Sequence, residues 1–150
     1  MEDGNNMRNG YPSRRWTREP DAATDDCARR VIGAAIAVHT QLGPGFLENT
    51  YEAALAIELE QREIRFERQV PIVIHYNDLP VGEYRLDFLV EKLVVIELKA
   101  AAEVALIHVA QVRAYLAATN LELGLVLNFN VRQLREGGIK RVVRTGSAPT

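Results

Sequence analysis

The sequence is poor in cysteine and has no long apolar run. Cys27 is the only cysteine among 150 residues, which excludes an intramolecular disulfide. No apolar stretch reaches the roughly 18 residues that a membrane-spanning helix needs. The first residues, MEDGNNMRNGYPSRRWTREPD, also lack the apolar core of a signal peptide. We therefore expect a cytoplasmic protein without a membrane segment.

Positive charge is scarce as well. The 18 basic residues are outnumbered by 20 acidic residues, so the formal net charge is -2. This balance argues against a strongly basic nucleic-acid binder, although several enzymes that process DNA are acidic overall. The 47% hydrophobic composition suits one domain with one core. We predict a flexible arm at 1–24, this domain at 25–144 and a disordered tail at 145–150.

The periodicity of apolar residues predicts two helices followed by strands. Asp25 or Asp26 is expected to cap a first helix, which the Gly-Pro-Gly turn at 43–45 ends. A second helix is expected at about 46–63. The later segments are expected as strands at 64–70, 72–76, 84–90, 94–99, 123–129 and 139–143, with a helix at 106–119. This order indicates an α/β sandwich.

The stretch RLDFLVEKLVVIELK reads as a hairpin in which acids interrupt two apolar strands. Alternation along a strand places Leu86, Phe88 and Val90 on one face. If the two strands pair through their apolar faces, Asp87 lies opposite Glu97. This register needs a loop of about three residues, or a bulge, because a two-residue turn would put the acids on opposite faces.

Two carboxylates at cross-strand distance repel each other unless they share a proton or a cation. Mg²⁺ prefers a few carboxylate oxygens and keeps several waters, and Lys99, on the strand face of Glu97, can orient or help activate one of those waters. The alternative is a solvated surface on which Lys99 simply neutralises Glu97. The flanking sequence VVIELKA is too apolar for a strand with one wet face, which favours a cleft.

Two motifs resemble the PD-(D/E)XK nuclease superfamily. Asp87, followed later by Glu97-x-Lys99, is similar to the motif that names the superfamily, with Leu86 in place of its proline. The string GFLENTY matches GxxExxY, the signature of a family of small bacterial proteins placed in that superfamily. The strings VHTQLGPGFLENTYEAAL, IELKA, LVLNFN and IKRVV are similar to that family too, so the resemblance covers roughly 25–143.

The resemblance implies a restriction-endonuclease-like core, with a central mixed β-sheet flanked by helices. It implies that Asp87 and Glu97, together with Glu48, hold Mg²⁺ or Mn²⁺. Lys99 is then expected to serve the attacking water. Gln111, on the helix after the motif, is implied as a supporting polar residue.

Several of these residues also have plainer interpretations. Glu48 and Tyr51 share a helix face, so Glu48 can point inward with Tyr51 hydrogen-bonded beside it. Alternatively, Glu48 is a first-turn acid that interacts with the helix dipole, and Gln111 is a surface amide. Without further Cys or His at ligand spacing, a zinc site is not expected, and the histidines are interpreted as structural. These histidines are His39, His75 and His108.

The implied function is a metal-dependent phosphodiesterase that cleaves nucleic acid. Our hypothesis is that the substrate is DNA rather than RNA. Basic residues late in the chain and in the arm can contact phosphates without reading sequence, or can form a solvated tail. They are Arg132, Arg135, Lys140, Arg141 and Arg144, with Arg14, Arg15 and Arg18 in the arm. A second hypothesis is a non-catalytic module that keeps the fold and binds nucleic acid or protein. A third is a homo-oligomeric scaffold.

Overall fold

The computed structural model describes residues 19–144 in full, together with the backbone of four two-residue strands. These strands are β1 (Met7–Arg8), β2 (Tyr11–Pro12), β3 (Trp16–Thr17) and β9 (Thr145–Gly146). Strand β1 pairs with β2, and β3 pairs with β9. The predicted arm and tail lie largely outside the described residues and stay predictions. The proposed phosphate contacts of Arg14, Arg15 and Arg18 lie outside them as well.

In the described part of the chain, three helices flank the sheet: α1 (Ala22–Leu42), α2 (Glu48–Gln61) and α3 (Leu106–Thr119). Helix α1 begins earlier than predicted. Its cap is Asp21, in an extended conformation, whose carboxylate accepts a hydrogen bond from the Thr24 N–H at 2.8 Å. Asp25 and Asp26 therefore lie inside the helix rather than at its cap. Within the described residues, no helix combines the length and apolarity needed to cross a membrane.

Five strands form one mixed sheet, as the resemblance implies. They are β4 (Phe66–Tyr76), β5 (Leu79–Val90), β6 (Val94–Lys99), β7 (Leu123–Asn128) and β8 (Ile139–Val143), in the spatial order β4-β5-β6-β7-β8. Only β6 and β7 are parallel among these neighbours, and α3 is the crossover between them. The two strands predicted at 64–70 and 72–76 are one strand, because an edge strand tolerates Pro71.

The sheet is covered on both faces. Helices α1 and α2 pack on one face, in a core that includes Val31, Leu55, Phe88, Ile96 and Leu125. Helix α3 packs on the other face, in a core that includes Val95, Val112, Leu116 and Val126. The first five residues of β6 are buried, as a strand covered on both faces requires.

The β4–β5 ribbon changes face along its length. Leu86 packs on the α3 side, whereas Phe88 packs on the α1–α2 side, so the prediction that they share a face is wrong. On the paired strand, Phe66 and Val70 differ in the same way. The change occurs at Gln69, whose φ of 51° lies in the left-handed region. Alternation fails here because the backbone is not regularly extended.

Candidate active site

The β5–β6 hairpin brings two carboxylates together. A three-residue turn joins the strands, and Phe88 pairs with Ile96, so the predicted register is confirmed. One step further along, the Asp87 N–H donates to Oε1 of Glu97 at 3.3 Å. The Leu98 N–H donates to Oδ2 of Asp87 at 2.8 Å. Backbone hydrogen bonds thus hold both acids at the same level of the hairpin.

Burial makes this acid pair difficult to ionise. Glu97 is only 6% exposed, and burial raises its pKa to about 8, with the negative charge of Asp87 as the next cause. Burial also raises the pKa of Asp87, and the hydrogen bond from Leu98 acts against that rise. At neutral pH the Glu97 carboxyl therefore retains a proton unless a cation compensates the pair.

Lys99 ends β6, two residues beyond Glu97. Burial raises the pKa of Glu48, Asp87 and Glu97, and the ammonium charge of Lys99 acts against that rise in all three. A positive charge within electrostatic range of carboxyls favours their ionised form. The structure thus pairs Asp87 with Glu97 and places Glu48 within electrostatic range of Asp87 and Lys99.

Glu48 is the first residue of α2 and lies at the mouth of a cleft. The cleft has a volume of about 200 Å³ and is lined by Glu48, Asn49, Glu52, Gln69, Asp87 and Leu98. Glu48 also lies in the first turn of α2, where its negative charge interacts favourably with the helix dipole. The helix start therefore carries Glu48 to the edge of the cleft that contains Asp87.

One interpretation of the sequence places Tyr51 hydrogen-bonded beside Glu48. The structure gives Tyr51 other partners. It is fully buried, and its hydroxyl donates to the Gly43 carbonyl at 2.6 Å and accepts from the Phe46 N–H at 3.2 Å. Its ring stacks on Phe129 at 4.5 Å between centroids. The prediction is wrong because the Tyr51 hydroxyl reaches past its own helix turn. Tyr51 instead closes the turn from which α2 and Glu48 begin.

Glu52 and Gln69 are among the cleft residues that were not identified from the sequence. Glu52, one turn after Glu48, accepts a hydrogen bond from the Gln69 amide and pairs with Arg68 at 3.0 Å. The same amide donates to Oδ1 of Asp87 at 3.4 Å. The spacing of Glu48 and Glu52 on one helix face could have indicated the second acid. Nothing in the sequence marks Gln69, whose position depends on its left-handed backbone.

Gln111 lies one turn before Tyr115 on α3. Burial raises the pKa of Tyr115 to about 12, and the negative charge of Glu97 is the next cause. The Gln111 side chain acts in the opposite direction on that pKa. The predicted supporting amide therefore lies next to a phenol that is within electrostatic range of Glu97.

Asn128 is a buried polar residue that sequence analysis did not single out. It ends β7 directly opposite Lys99 in the parallel ladder. Its Oδ1 accepts from the N–H groups of Ala101 and Asn130, both at 3.1 Å, and its Nδ2 donates to the Ala101 carbonyl at 3.0 Å. Asn128 thus holds the chain that leaves Lys99 and fixes the end of β6.

The predicted phosphate contacts do not share one surface. Arg141 pairs with Asp25 on the α1 side at 2.6 Å. Arg144 contacts Asn120 just beyond the C-terminal end of α3, and its backbone N–H donates to the Glu122 carbonyl. Arg144 therefore lies at the end of the sheet away from Lys99. Lys140 is exposed on β8, and Arg132 and Arg135 are exposed in the loop after β7. That loop follows Asn128 and therefore lies at the same end of the sheet as Lys99.

Two histidines have clear structural roles. His39 is buried, and its Nε2 contacts the Val131 carbonyl oxygen at 2.8 Å, so its interpretation as a core histidine is confirmed. The Nδ1 atom of His108 accepts from the Ala105 N–H at 3.1 Å at the start of α3. His75 is exposed on β4.

The donor set at Asp87 and Glu97 fits a hard divalent cation. Mg²⁺ takes one or two carboxylates and keeps several waters. The raised pKa of both acids means that positive charge between them is favourable. Within 19–144, no three His, Cys, Asp or Glu side chains converge to hold a metal ion. Glu48 therefore does not join the acid pair in one compact ligand set, and its role as a ligand stays a prediction.

Comparison with known proteins yields a family match. A family model described as the PD-(D/E)XK nuclease superfamily matches residues 25–142, most of the chain. Nucleases of this superfamily generally use divalent metal ions. The mixed five-stranded sheet flanked by helices is consistent with a restriction-endonuclease-like fold. No curated protein and no solved structure matches this chain.

Proposed function

The chain belongs to the PD-(D/E)XK nuclease superfamily, and we propose that it is a nuclease that hydrolyses phosphodiester bonds in DNA with Mg²⁺ or Mn²⁺. We also propose that it is a GxxExxY protein of the bacterial cytoplasm. The observation that carries the proposal is the pairing of Asp87 with Glu97 beside Lys99. A buried acid pair is costly unless a cation is bound there, and a catalytic site offers a reason for that cost.

Each predicted site residue has a proposed role. Asp87 and Glu97 would hold the divalent ion, which when bound polarises the scissile phosphate and acidifies water. Lys99 would position the attacking water and stabilise negative charge that develops on the phosphate. Glu48 would complete the outer side of the cleft. Gln111 would orient groups around Glu97 through Tyr115.

The substrate is proposed from charge and position. Arg132 and Arg135 are exposed in the loop that follows Asn128, at the end of the sheet where Lys99 lies. They can contact phosphates without reading sequence. Arg141 is engaged by an ion pair with Asp25 and is a weaker candidate for this role. Lys140 and Arg144 remain proposed contacts of a longer substrate.

Calorimetric titration of Mn²⁺ into the purified protein tests the proposal. We expect the parent to bind Mn²⁺ and to cleave DNA, and we expect Asp87→Asn to lose both properties. Asp78→Asn is the matched control, because Asp78 is an exposed acid in the turn between β4 and β5. The control should bind and cleave like the parent. Binding without cleavage of single-stranded, branched or duplex DNA would contradict the nuclease and favour a non-catalytic module.

A further inference from the structure

Every exposed side chain of helix α3 is apolar. These side chains belong to Leu106, Ile107, Ala110, Ala114, Ala117 and Ala118. Since successive residues of a helix are turned by roughly 100°, all six fall within an arc of about 120°. The helix has no acid, and Arg113, its only lysine or arginine, lies beside this arc. We call the six residues the apolar stripe.

Helix α3 is apolar on its inner side as well, where Val112 and Leu116 pack on the sheet. A surface helix normally carries charged or polar residues on its outer face, whereas a helix that is apolar on both sides is normally buried. In the apolar stripe, Leu106 and Ile107 are 89% and 69% exposed. The outer face of α3 therefore has the character of a surface that a partner covers.

Strand β5 extends the apolar surface beside α3. The ring of Tyr84 is 46% exposed and lies 5.8 Å from the ring of Tyr115 on α3. Together with Tyr84, the stripe exposes on the order of 600 Å², which is about what each partner of a small specific interface buries. The exposed area is therefore sufficient for a stable protein contact.

The charge of α3 limits the kind of partner. A nucleic-acid surface needs several lysines or arginines to contact phosphates, and a helix that lies on a membrane carries such residues along its polar face. Helix α3 has Arg113 alone. The centre of a protein–protein interface is, by contrast, depleted in charged residues. The apolar stripe therefore fits a protein partner.

The apolar stripe is complementary to a second copy of itself. Its large residues lie at the N-terminal end of α3, and its C-terminal end is formed by Ala117 and Ala118. If two α3 helices pack antiparallel about a two-fold axis at the level of Val112, Leu106 and Ile107 of one copy lie against the two alanines of the other. Large residues then pack on small ones at both ends of the contact.

The centre of this arrangement is formed by Ala110 and Ala114. Position 110 of one copy lies opposite position 114 of the other, and alanines let two helices approach closely. The pairing is isologous, so the same surface of each copy is used and the contact closes at two subunits.

We propose that the protein is a homodimer in which the apolar stripes of two copies pack antiparallel. The cleft stays open in such a dimer, because α2, which supplies Glu48 and Glu52 to the cleft, packs on the opposite face of the sheet from α3. The inference therefore does not depend on the proposed nuclease activity.

Sedimentation velocity of the full chain from about 1 µM to about 100 µM tests the inference. We expect the parent to reach twice the chain mass of 16.8 kDa. Ala114→Glu places a charge without a partner at the centre of the interface and should weaken the dimer at least about 100-fold. Leu106→Ser removes a large side chain at the end of the interface and should weaken the dimer about ten-fold.

A double variant tests the antiparallel arrangement. Ala110→Lys combined with Ala114→Glu creates opposite charges that face each other across the two-fold axis. This variant should dimerise at least about ten-fold more tightly than Ala114→Glu alone.

Ala53→Glu is the matched control for an added charge. Ala53 is exposed on α2 and does not line the cleft, so this variant should dimerise like the parent. Thermal unfolding of each variant checks that the fold is intact. Leu106 is 89% exposed, so Leu106→Ser keeps the test valid even if Ala114→Glu fails to fold.

Three results would overturn the inference. The first is a parent that stays monomeric at about 100 µM. The second is a dimer that Ala114→Glu and Leu106→Ser leave as tight as the parent, because another surface then forms the contact. The third is a double variant that dimerises no better than Ala114→Glu, because position 110 then does not face position 114 of the second copy.

Discussion

The two ends of the β5–β6 hairpin shift the pKa of their carboxylates in opposite directions. At the turn, Glu91 accepts two hydrogen bonds from Arg30, at 2.8 and 2.7 Å, and these bonds lower its pKa. At the open end, Glu97 is buried against Asp87 and its pKa is raised to about 8. One end of the hairpin therefore stabilises a charged acid, and the other end makes ionisation costly.

This difference separates a structural acid from a candidate catalytic one. A guanidinium forms two parallel bonds with a carboxylate, which is how a fold neutralises an acid that it needs charged. The partners of Asp87 are instead the Leu98 N–H and the neutral Gln69 amide. Neutral donors leave the negative charge available to a cation. The comparison thus predicts that substitutions at the two ends of the hairpin affect cleavage, Mn²⁺ binding and stability differently.

Lysine replacement at the two ends should give the largest contrast. Lys99→Ala is expected to reduce DNA cleavage about 1,000-fold, because it removes a positive charge that stabilises the transferring phosphate. Mn²⁺ binding should survive, since the acid pair remains. Lys92→Ala, in the turn at the other end, should leave the cleavage rate unchanged. Equal rates for Lys99→Ala and the parent would show that the site is wrongly assigned.

The acid pair should make the metal-free protein less stable as pH rises. The folded-state pKa of Glu97, about 8, lies above its ordinary value of 4.5, so the folded state binds more protons between these pH values. The free energy of unfolding should fall by up to about 1.4 kcal/mol per pH unit across that window and level off above pH 8. Glu97→Gln should reduce this slope, to which Asp87 also contributes, and should stabilise the protein at pH 8.

Urea unfolding in chelator at several pH values between 4.5 and 8.5 measures this slope. Because cations compete with protons for the carboxylates, added Mn²⁺ should restore stability to the parent at pH 8 but not to Glu97→Gln. A parent whose stability rises between pH 5 and pH 8 in chelator would contradict the raised pKa of Glu97.

Removal of the turn acid Glu91 should destabilise the protein, whereas Glu97→Gln should stabilise it at pH 8. The change in the free energy of unfolding should also be smaller for Glu91. Glu91→Gln loses a charged partner of Arg30 and should destabilise the protein by about 1 kcal/mol at pH 7, since both side chains are partly exposed. Mn²⁺ affinity should be unchanged. Urea unfolding and calorimetry on the same sample check both statements. Weaker Mn²⁺ binding in Glu91→Gln would remove the distinction between the two ends.

The smallest effect is expected at Gln69. Its amide donates to Asp87 at 3.4 Å, a long hydrogen bond, so Gln69→Ala should weaken Mn²⁺ binding only about two- to three-fold. Calorimetric titration measures the change. A loss as large as that of Asp87→Asn would mean that Gln69 belongs to the ligand set itself rather than orienting Asp87.

The hairpin could be predicted from the sequence because both of its determinants are local. The alternation of apolar residues and the three-residue turn together fix Phe88 opposite Ile96, and hence the acid pair. Glu48 could be found only through a motif, because α2 reaches the hairpin by tertiary packing. Its neighbour Glu52 belongs to no part of that motif, although it lines the same cleft.

The errors of prediction have physical causes. Leu86 was assigned to the wrong face because alternation presumes an extended chain, and the ribbon changes face where Gln69 is left-handed. The cap of α1 was placed too late because Asp21, Asp25 and Asp26 are equally good cap residues, and only the backbone conformation separates them. The partners of Tyr51 could not be predicted, because they depend on the path of the turn before α2.

The short turn of the hairpin also has a consequence for the order of folding. Asp87 and Glu97 are ten residues apart, so a brief local search of the chain is enough to pair them. The parallel neighbour of β6 arrives only after α3 has crossed the sheet, and such non-local pairing is slow. We therefore expect the acids to meet while one side of β6 is still open to water. The cost of ionising both acids is lowest at that stage and grows as the strand is covered, so a divalent cation that binds the pair is expected to accelerate late folding.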